Sequence, residues 1–259
     1  MRIKANGISF SYAIDGKVGA RCIVFSNSLA TNFAAWDNQI KAVQNSFHTL
    51  RYDQRGHGRT EAPSGRYNFD LLVADAIALL EALNIKRAHW VGLSMGGATG
   101  LGIAQRRPDL IERLVVCDTT CASTPESAQQ WEARIAVATK NGMDALIEPT
   151  VSRWFPEAAY KGKAPYIDNV REMIRTTPVN GFIGCAAALA DYDLRPSPKN
   201  VKQPVLFLVG DQDGSNPAAM RGLHRALPGS HFAELRGAGH ICNLDRPEHF
   251  NAAITNFLR

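Results

Sequence analysis

The sequence predicts an α/β fold: a mostly parallel central sheet with helices on both faces, interrupted by one helical insertion. Three observations carry this expectation. Short apolar runs rich in β-branched residues recur along the chain, and most are separated by segments with helical spacing. The runs are nearly continuous in hydrophobicity rather than alternating, as burial of a strand on both faces requires. The alternation of runs and helical segments stops between about Thr120 and Pro196, where helical patterns follow one another without a strand-like run.

Taken in order, the strand-like runs are residues 8–13, 22–26, 48–52, 88–93, 114–117, 205–209 and 232–235. Between the third and fourth, residues 69–83 carry Leu72, Val73, Ile77, Leu80 and Leu83 at spacings of three and four, behind Asn68 as an N-cap. Within the insertion, helical patterns cover 128–141, 143–155, 167–175 and 179–190, and a terminal helix covers 247–257. The expected organisation is a catalytic core of residues 1–119 and 197–259 with a helical cap of residues 120–196. No repeat or low-complexity tract supports a solenoid.

Composition narrows the function classes. The chain has 29 Lys and Arg against 24 Asp and Glu, a formal net charge of +5, but the basic residues are scattered and not interleaved with aromatic ones. That pattern is a solvated surface, compatible with an anionic substrate, and argues against nucleic acid as a partner. The five cysteines form no C-x-x-C pair and read as reduced thiols. With no signal-peptide-like apolar stretch near Met1 and no run of membrane-spanning length, the expected location is the cytoplasm, without membrane association.

The strongest chemical signal is residues 88–97, Ala-His-Trp-Val-Gly-Leu-Ser-Met-Gly-Gly, in which a strand enters G-x-S-x-G and then a small-residue helix over 98–105. The motif alone also describes a glycine-rich tight turn; the strand before it and the helix after it favour a nucleophile, Ser94. Side chains at Gly92 and Gly96 would collide with neighbouring elements in so sharp a turn. The turn lifts the serine hydroxyl off the sheet and aims the following helix N-terminus at a developing oxyanion.

An alcohol needs a base within hydrogen-bond reach, and in such folds the order along the chain is Ser, acid, His. Of seven histidines, His240 fits best, in a Gly-rich loop after the last strand-like run and before the terminal helix. His57 precedes the serine and is weaker; His48, His89, His224, His231 and His249 read as packed or solvated. The acid should follow a strand, where Asp211 and Asp213 both stand after residues 205–209. Asp213 is favoured, with Asp211 as a brace for the turn and Asp118 as the other available position. Leu29 N–H, in the loop after residues 22–26, pairs with Met95 N–H as the expected oxyanion hole. Nothing suggests a metal or an organic cofactor, and none is expected.

Together these residues resemble the α/β-hydrolase superfamily, in the right order and over nearly the whole chain. More narrowly, Ser26-Asn27-Ser28-Leu29 is similar to the loop of 3-oxoadipate enol-lactonases, where most relatives of the fold carry His-Gly. Trp36, Asp53-Gln54-Arg55-Gly56-His57-Gly58, Arg153-Trp154-Phe155 and residues 184–189 strengthen the likeness. The resemblance implies hydrolysis of a small enol-lactone bearing a free carboxylate, in the β-ketoadipate branch of aromatic catabolism. A cap cation must then meet the carboxylate, and Arg153 beside Trp154 is the candidate pair for substrate binding. Ala30 departs from the pattern, since glycine is expected after Ser-Leu. A carboxylesterase, a lactonase for another ring or a carbon–carbon bond hydrolase would use the same residues, and a ligand-binding protein would keep them without turnover. Haloalkane dehalogenases and epoxide hydrolases are disfavoured because they place an aspartate where Ser94 stands.

Overall fold

The computed structural model describes residues 1–197 and 199–259. Among these, eight strands form one sheet in the order β1-β2-β4-β3-β5-β6-β7-β8. They are β1 (Arg2–Ala5), β2 (Ile8–Gly16), β3 (Cys22–Ser26), β4 (His48–Tyr52), β5 (Ala88–Leu93), β6 (Ile111–Cys117), β7 (Val205–Gly210) and β8 (His231–Leu235). The β1–β2 and β2–β4 pairs are antiparallel, and every other pairing is parallel.

Successive residues of the central strands feed two separate cores. Ile23, Phe25, Val91, Val115 and Leu208 point to one face, and Val24, Trp90, Val116, Phe207 and Val209 to the other. The first face is covered by α1 (Asp37–Val43), by the terminal α11 (Pro247–Leu258) and by residues of the insertion. The second is covered by α2 (Phe69–Ala82), α3 (Met95–Arg106) and α9 (Asn216–Ala226). Two covered faces explain why β3, β5 and β7 are buried along their whole length and read as unbroken apolar runs. The Asn68 side chain accepts the Leu71 N–H and caps α2, as its position predicts.

Between β6 and β7 the chain is helical: α4 (Pro125–Asn141), α5 (Ile147–Trp154), α6 (Glu157–Lys161), α7 (Pro165–Thr176) and α8 (Val179–Ala190). A reciprocal capping box of Thr124 and Ser127, with Pro125 in the first turn, starts α4. The helical pattern over 143–155 does not form one helix. Residues Asp144–Leu146 make a 3-10 turn and α5 begins at Ile147. Pro149 is the reason: it lacks the N–H that a helix running through it would donate to Ala145, so it is tolerated only in a first turn. The short α10 (Cys242–Asp245) precedes α11.

The edge strand β1 has no apolar run to announce it. Its signal is the Asn6-Gly7 dipeptide, whose residues adopt φ 42° and 79° and close the β1–β2 hairpin. Among the described residues no helix is long and apolar enough to cross a membrane.

The loop after β4 is anchored by a buried ion pair. Arg55 Nε and Nη2 donate to the two carboxylate oxygens of Asp75 at 2.6 and 2.7 Å, with both side chains less than a tenth exposed. Removing one partner strands a buried charge. Asp75→Ala is therefore expected to lower the unfolding free energy by about 3–5 kcal/mol. Chemical denaturation of the variant beside the parent measures it, and a loss under about 1 kcal/mol would contradict the account.

Candidate active site

Ser94 lies between the last residue of β5 and the first of α3, with φ 54° and ψ −116°. Glycines impose this turn by permitting backbone contacts. A Cβ on Gly92 would lie 2.1 Å from Gly96 O, and one on Gly96 would lie 2.2 Å from Ser26 O. The Ser94 N–H donates to Cys117 O at 2.8 Å, and its carbonyl accepts from Gly97 and Ala98 in the first turn of α3. Met95 N–H heads that helix and has no acceptor among the described residues.

His240 sits in the loop between β8 and α10, and α5 holds it there. Its backbone N–H donates to Trp154 O at 2.7 Å, and its ring stacks on the Trp154 indole at a centroid distance of 5.6 Å. Gly239 makes this approach possible, since a Cβ there would lie 2.2 Å from Trp154 O. His240 Nδ1 is 2.8 Å from Asp213 Oδ2, which also accepts from Asn216 Nδ2 at 2.6 Å. Burial pushes the Asp213 carboxyl up, but the His240 charge and hydrogen bond, the Asn216 amide and the charge of Arg153 outweigh it and leave it below its ordinary value.

Of the three aspartates left open by the sequence, Asp213 is the one hydrogen-bonded to His240. Asp211 accepts the Gly237 N–H at 2.7 Å and ties the β7 and β8 loops together. Asp118 is fully buried and accepts the Gly210 N–H at 2.8 Å. Burial first, and then the nearby charge of Asp213, push its carboxyl well above the ordinary range.

The loop of residues 27–31 follows β3. Asn27 Nδ2 donates to Ser28 O and Thr31 O at 2.9 and 2.6 Å, which curls the loop on itself. Leu29 N–H has no acceptor among the described residues. Ala30 adopts φ 57°, the left-handed region in which glycine is at ease. The departure from glycine therefore strains the backbone.

These parts meet at a cavity of about 200 Å³, whose lining includes Leu29, Ser94, Arg153, Trp154 and His240. Ser94 and His240 share it, although no hydrogen bond joins their side chains among the described residues. Met95 is buried beneath it and Asp213 stands behind the imidazole. Trp154 is 3% exposed, packed in the core and stacked on His240. Arg153 is exposed at the rim. Crowding by surrounding protein and the like charge of Arg134 lower its pKa to about 10, against the pull of Asp213, and it remains a cation at neutral pH.

Sequence reasoning missed Arg134, which also lines the cavity and stacks over Trp131 at 4.7 Å. The W-x-x-R spacing on α4 puts both side chains on one helix face, and that was the available signal. Neither Arg134 nor Arg153 is paired with a carboxylate among the described residues. The Ser28 hydroxyl, buried in the same wall, has no hydrogen-bond partner among the described residues either. No group of three or more His, Cys, Asp or Glu among the described residues is arranged to hold a metal ion.

A strand-elbow-helix serine, a histidine on an aspartate and an eight-stranded sheet with a helical insertion define a hydrolase of the α/β type. The α/β-hydrolase fold family model matches residues 22–247, and the chain belongs to that family. It is 31% identical over 258 residues to 3-oxoadipate enol-lactonase 2 of Acinetobacter baylyi, covering 97% of this chain and 94% of the relative. The crystal structure of the enol-lactonase from Burkholderia xenovorans LB400 superposes with a TM-score of 0.94 at 36% identity, covering 100% of this chain and 99% of that one. A putative carbamate hydrolase of Agrobacterium fabrum is 29% identical and is matched over 95% of this chain and 97% of its own.

Two stability effects follow from the site's backbone and burial. Ala30→Gly relieves the left-handed strain and is expected to stabilise the fold by up to about 1 kcal/mol, read as a rise in melting temperature. A fall of several degrees would contradict the strain. His57, buried without exposure, has its pKa pushed from 6.5 to about 4 by burial, with a bond to Arg55 O opposing. The unfolded chain takes up that proton as pH drops through 6.5 while the folded one does not until about 4, so folding loses roughly 3 kcal/mol across this window. Urea midpoints between pH 7 and pH 4 should fall less steeply for His57→Gln than for the parent; equal slopes would contradict the assignment.

Proposed function

We propose that the chain is a serine hydrolase that opens a small carboxylated lactone, resembling 3-oxoadipate enol-lactone, through an acyl-enzyme. The observation that carries this reading is one small cavity shared by Ser94, by a histidine held on a buried carboxylate, and by two arginines without acidic partners. Its size suits a small substrate and its charge an anionic one. The two enol-lactonase relatives point to the same chemistry.

In this reading His240 Nε2 takes the proton of Ser94 as Oγ attacks the lactone carbonyl. Asp213 accepts the Nδ1–H, fixes the tautomer and offsets the imidazolium charge. The oxyanion is held by Leu29 N–H and Met95 N–H, each of which is worth about 3 kcal/mol at the transition state. As the tetrahedral intermediate collapses, the ring C–O bond breaks and His240 returns the proton to the departing enol oxygen. Water then attacks the Ser94 ester with His240 again as base, releasing the open-chain acid and restoring the hydroxyl. Neither a metal nor an organic cofactor enters any of these steps.

Residues 120–196 act as a cap over a core of residues 1–119 and 197–259, and the cap supplies Arg153 and Arg134 to the substrate carboxylate. A guanidinium can hold a carboxylate through two parallel hydrogen bonds. Trp154 shapes the apolar wall beside the ring. The activity fits aromatic-compound catabolism in the cytoplasm. A second reading, hydrolysis of a carbamate on the same residues, is favoured only by the carbamate hydrolase relative; a carboxylesterase role would keep the triad and lose the need for the arginines.

Ser94→Ala is expected to reduce turnover of 3-oxoadipate enol-lactone by at least about a thousandfold with the fold intact. Wild-type turnover by that variant would refute the nucleophile. Arg153→Ala should raise KM for the carboxylated lactone about tenfold or more while leaving a neutral acetate ester nearly unchanged. An equal loss on both substrates would remove Arg153 from carboxylate recognition, and faster turnover of a carbamate than of any lactone would favour the second reading.

A further inference from the structure

His57 is unused by this mechanism, yet it is fully buried beside the loop that carries the proposed oxyanion donor. Its Nε2 accepts the Ala30 N–H at 2.8 Å, and its Nδ1 lies 3.1 Å from Arg55 O. An acceptor at Nε2 places the ring proton on Nδ1, where it donates to Arg55 O. The residue it grips is Ala30, which follows Leu29 and is held at a φ of 57°.

We propose that His57, as the neutral Nδ1–H tautomer, is a positioning residue for the oxyanion hole: it fixes the Ala30 amide and thereby aims the Leu29 N–H at the cavity. The inference rests on the reading of Leu29 and Met95 as oxyanion donors. A left-handed alanine relaxes unless its neighbours over-determine it. The peptide joining Leu29 to Ala30 is the one whose N–H His57 holds, so its rotation would turn the loop at the donor.

The surroundings of His57 are built for this task. Gln54 Nε2 donates to Asn27 O at 2.6 Å, giving the loop a second tie to the segment that follows β4. Asp53 Oδ1 accepts the Phe33 N–H at 2.8 Å, a further tie just beyond the loop. Behind the histidine, Gly56 packs on α8 so closely that a Cβ there would lie 2.3 Å from Gly181 Cα. The Arg55–Asp75 ion pair described above anchors the other side. The loop after β4 is thus tied to both the insertion and the proposed oxyanion loop, and His57 is its contact with Ala30.

The test compares His57→Gln with His57→Leu in the full chain. Both lose the donor to Arg55, but only glutamine keeps an acceptor near the position of Nε2. His57→Leu is expected to lose about 100-fold in kcat on the lactone with KM changed less than about threefold. Its affinity for a boronic acid, which becomes a tetrahedral anion on the serine, should fall in parallel with kcat/KM. His57→Gln should stay within about tenfold of the parent in both measurements. An unchanged kcat in His57→Leu, or an equal loss in His57→Gln at equal melting temperature, would overturn the role. Nitrogen NMR of the unmodified protein gives a readout that survives even if the leucine variant does not fold: a protonated Nδ1 and bare Nε2 support the inference, and the opposite tautomer overturns it. If a fluorophosphonate fails to label Ser94 in the parent, the underlying reading falls and this one with it; labelling of the parent alongside a fully active His57→Leu overturns the loop role alone.

Discussion

The close approach of β5 to the start of α3 is the constraint on which the rest of the site depends. Two glycines allow backbone to meet backbone there, with Gly92 against Gly96 O and Gly96 against Ser26 O. The second contact matters as much as the first, because Ser26 ends the strand that leads into the loop of Leu29. One packing event therefore sets the serine in its uncommon backbone conformation and ties the start of α3, at Met95, to the end of the strand that leads into the Leu29 loop. Any side chain at either glycine would force these backbone segments apart.

The histidine is supported from outside the sheet. Its loop leaves β8 and is gripped by the end of α5 through Trp154, both at the backbone and at the ring. Arg153 precedes Trp154 in the same helix, so the residue proposed to meet a substrate carboxylate adjoins the group that holds the histidine. The two buried carboxyls behind the ring divide their roles by environment. His240, Asn216 and Arg153 hold the Asp213 carboxyl below its ordinary value, while burial and the charge of Asp213 push Asp118 well above it.

Much of this was legible in the residues because the elbow and the strand-helix alternation are local patterns. The unbroken apolar runs marked the central strands, and Asn68 marked the start of α2. The Ser-acid-His order narrowed the partners to a few residues, and the Asp213–His240 hydrogen bond separates Asp213 from Asp211 and Asp118. What stayed hidden depends on contacts between distant segments. Arg134 becomes a cavity residue only when α4 packs on α8, and the grip of Trp154 on His240 joins positions far apart in the chain. His57 was set aside because it precedes the serine, an argument about bases that says nothing about an acceptor for Ala30. The break in the helix before Pro149 was readable from the proline itself but was masked by strong helical spacing around it.

The account stands on Ser94 forming a covalent ester during turnover. Rapid acid quench of the protein with a slowly deacylating lactone or ester, followed by intact-mass and peptide mass spectrometry, tests it directly. The predicted result is a transient mass increase equal to the acyl group, confined to the peptide containing Ser94 and decaying at the rate of product release. Substrate turnover with no adduct at any quench time under burst conditions, or an adduct on another residue, would contradict it.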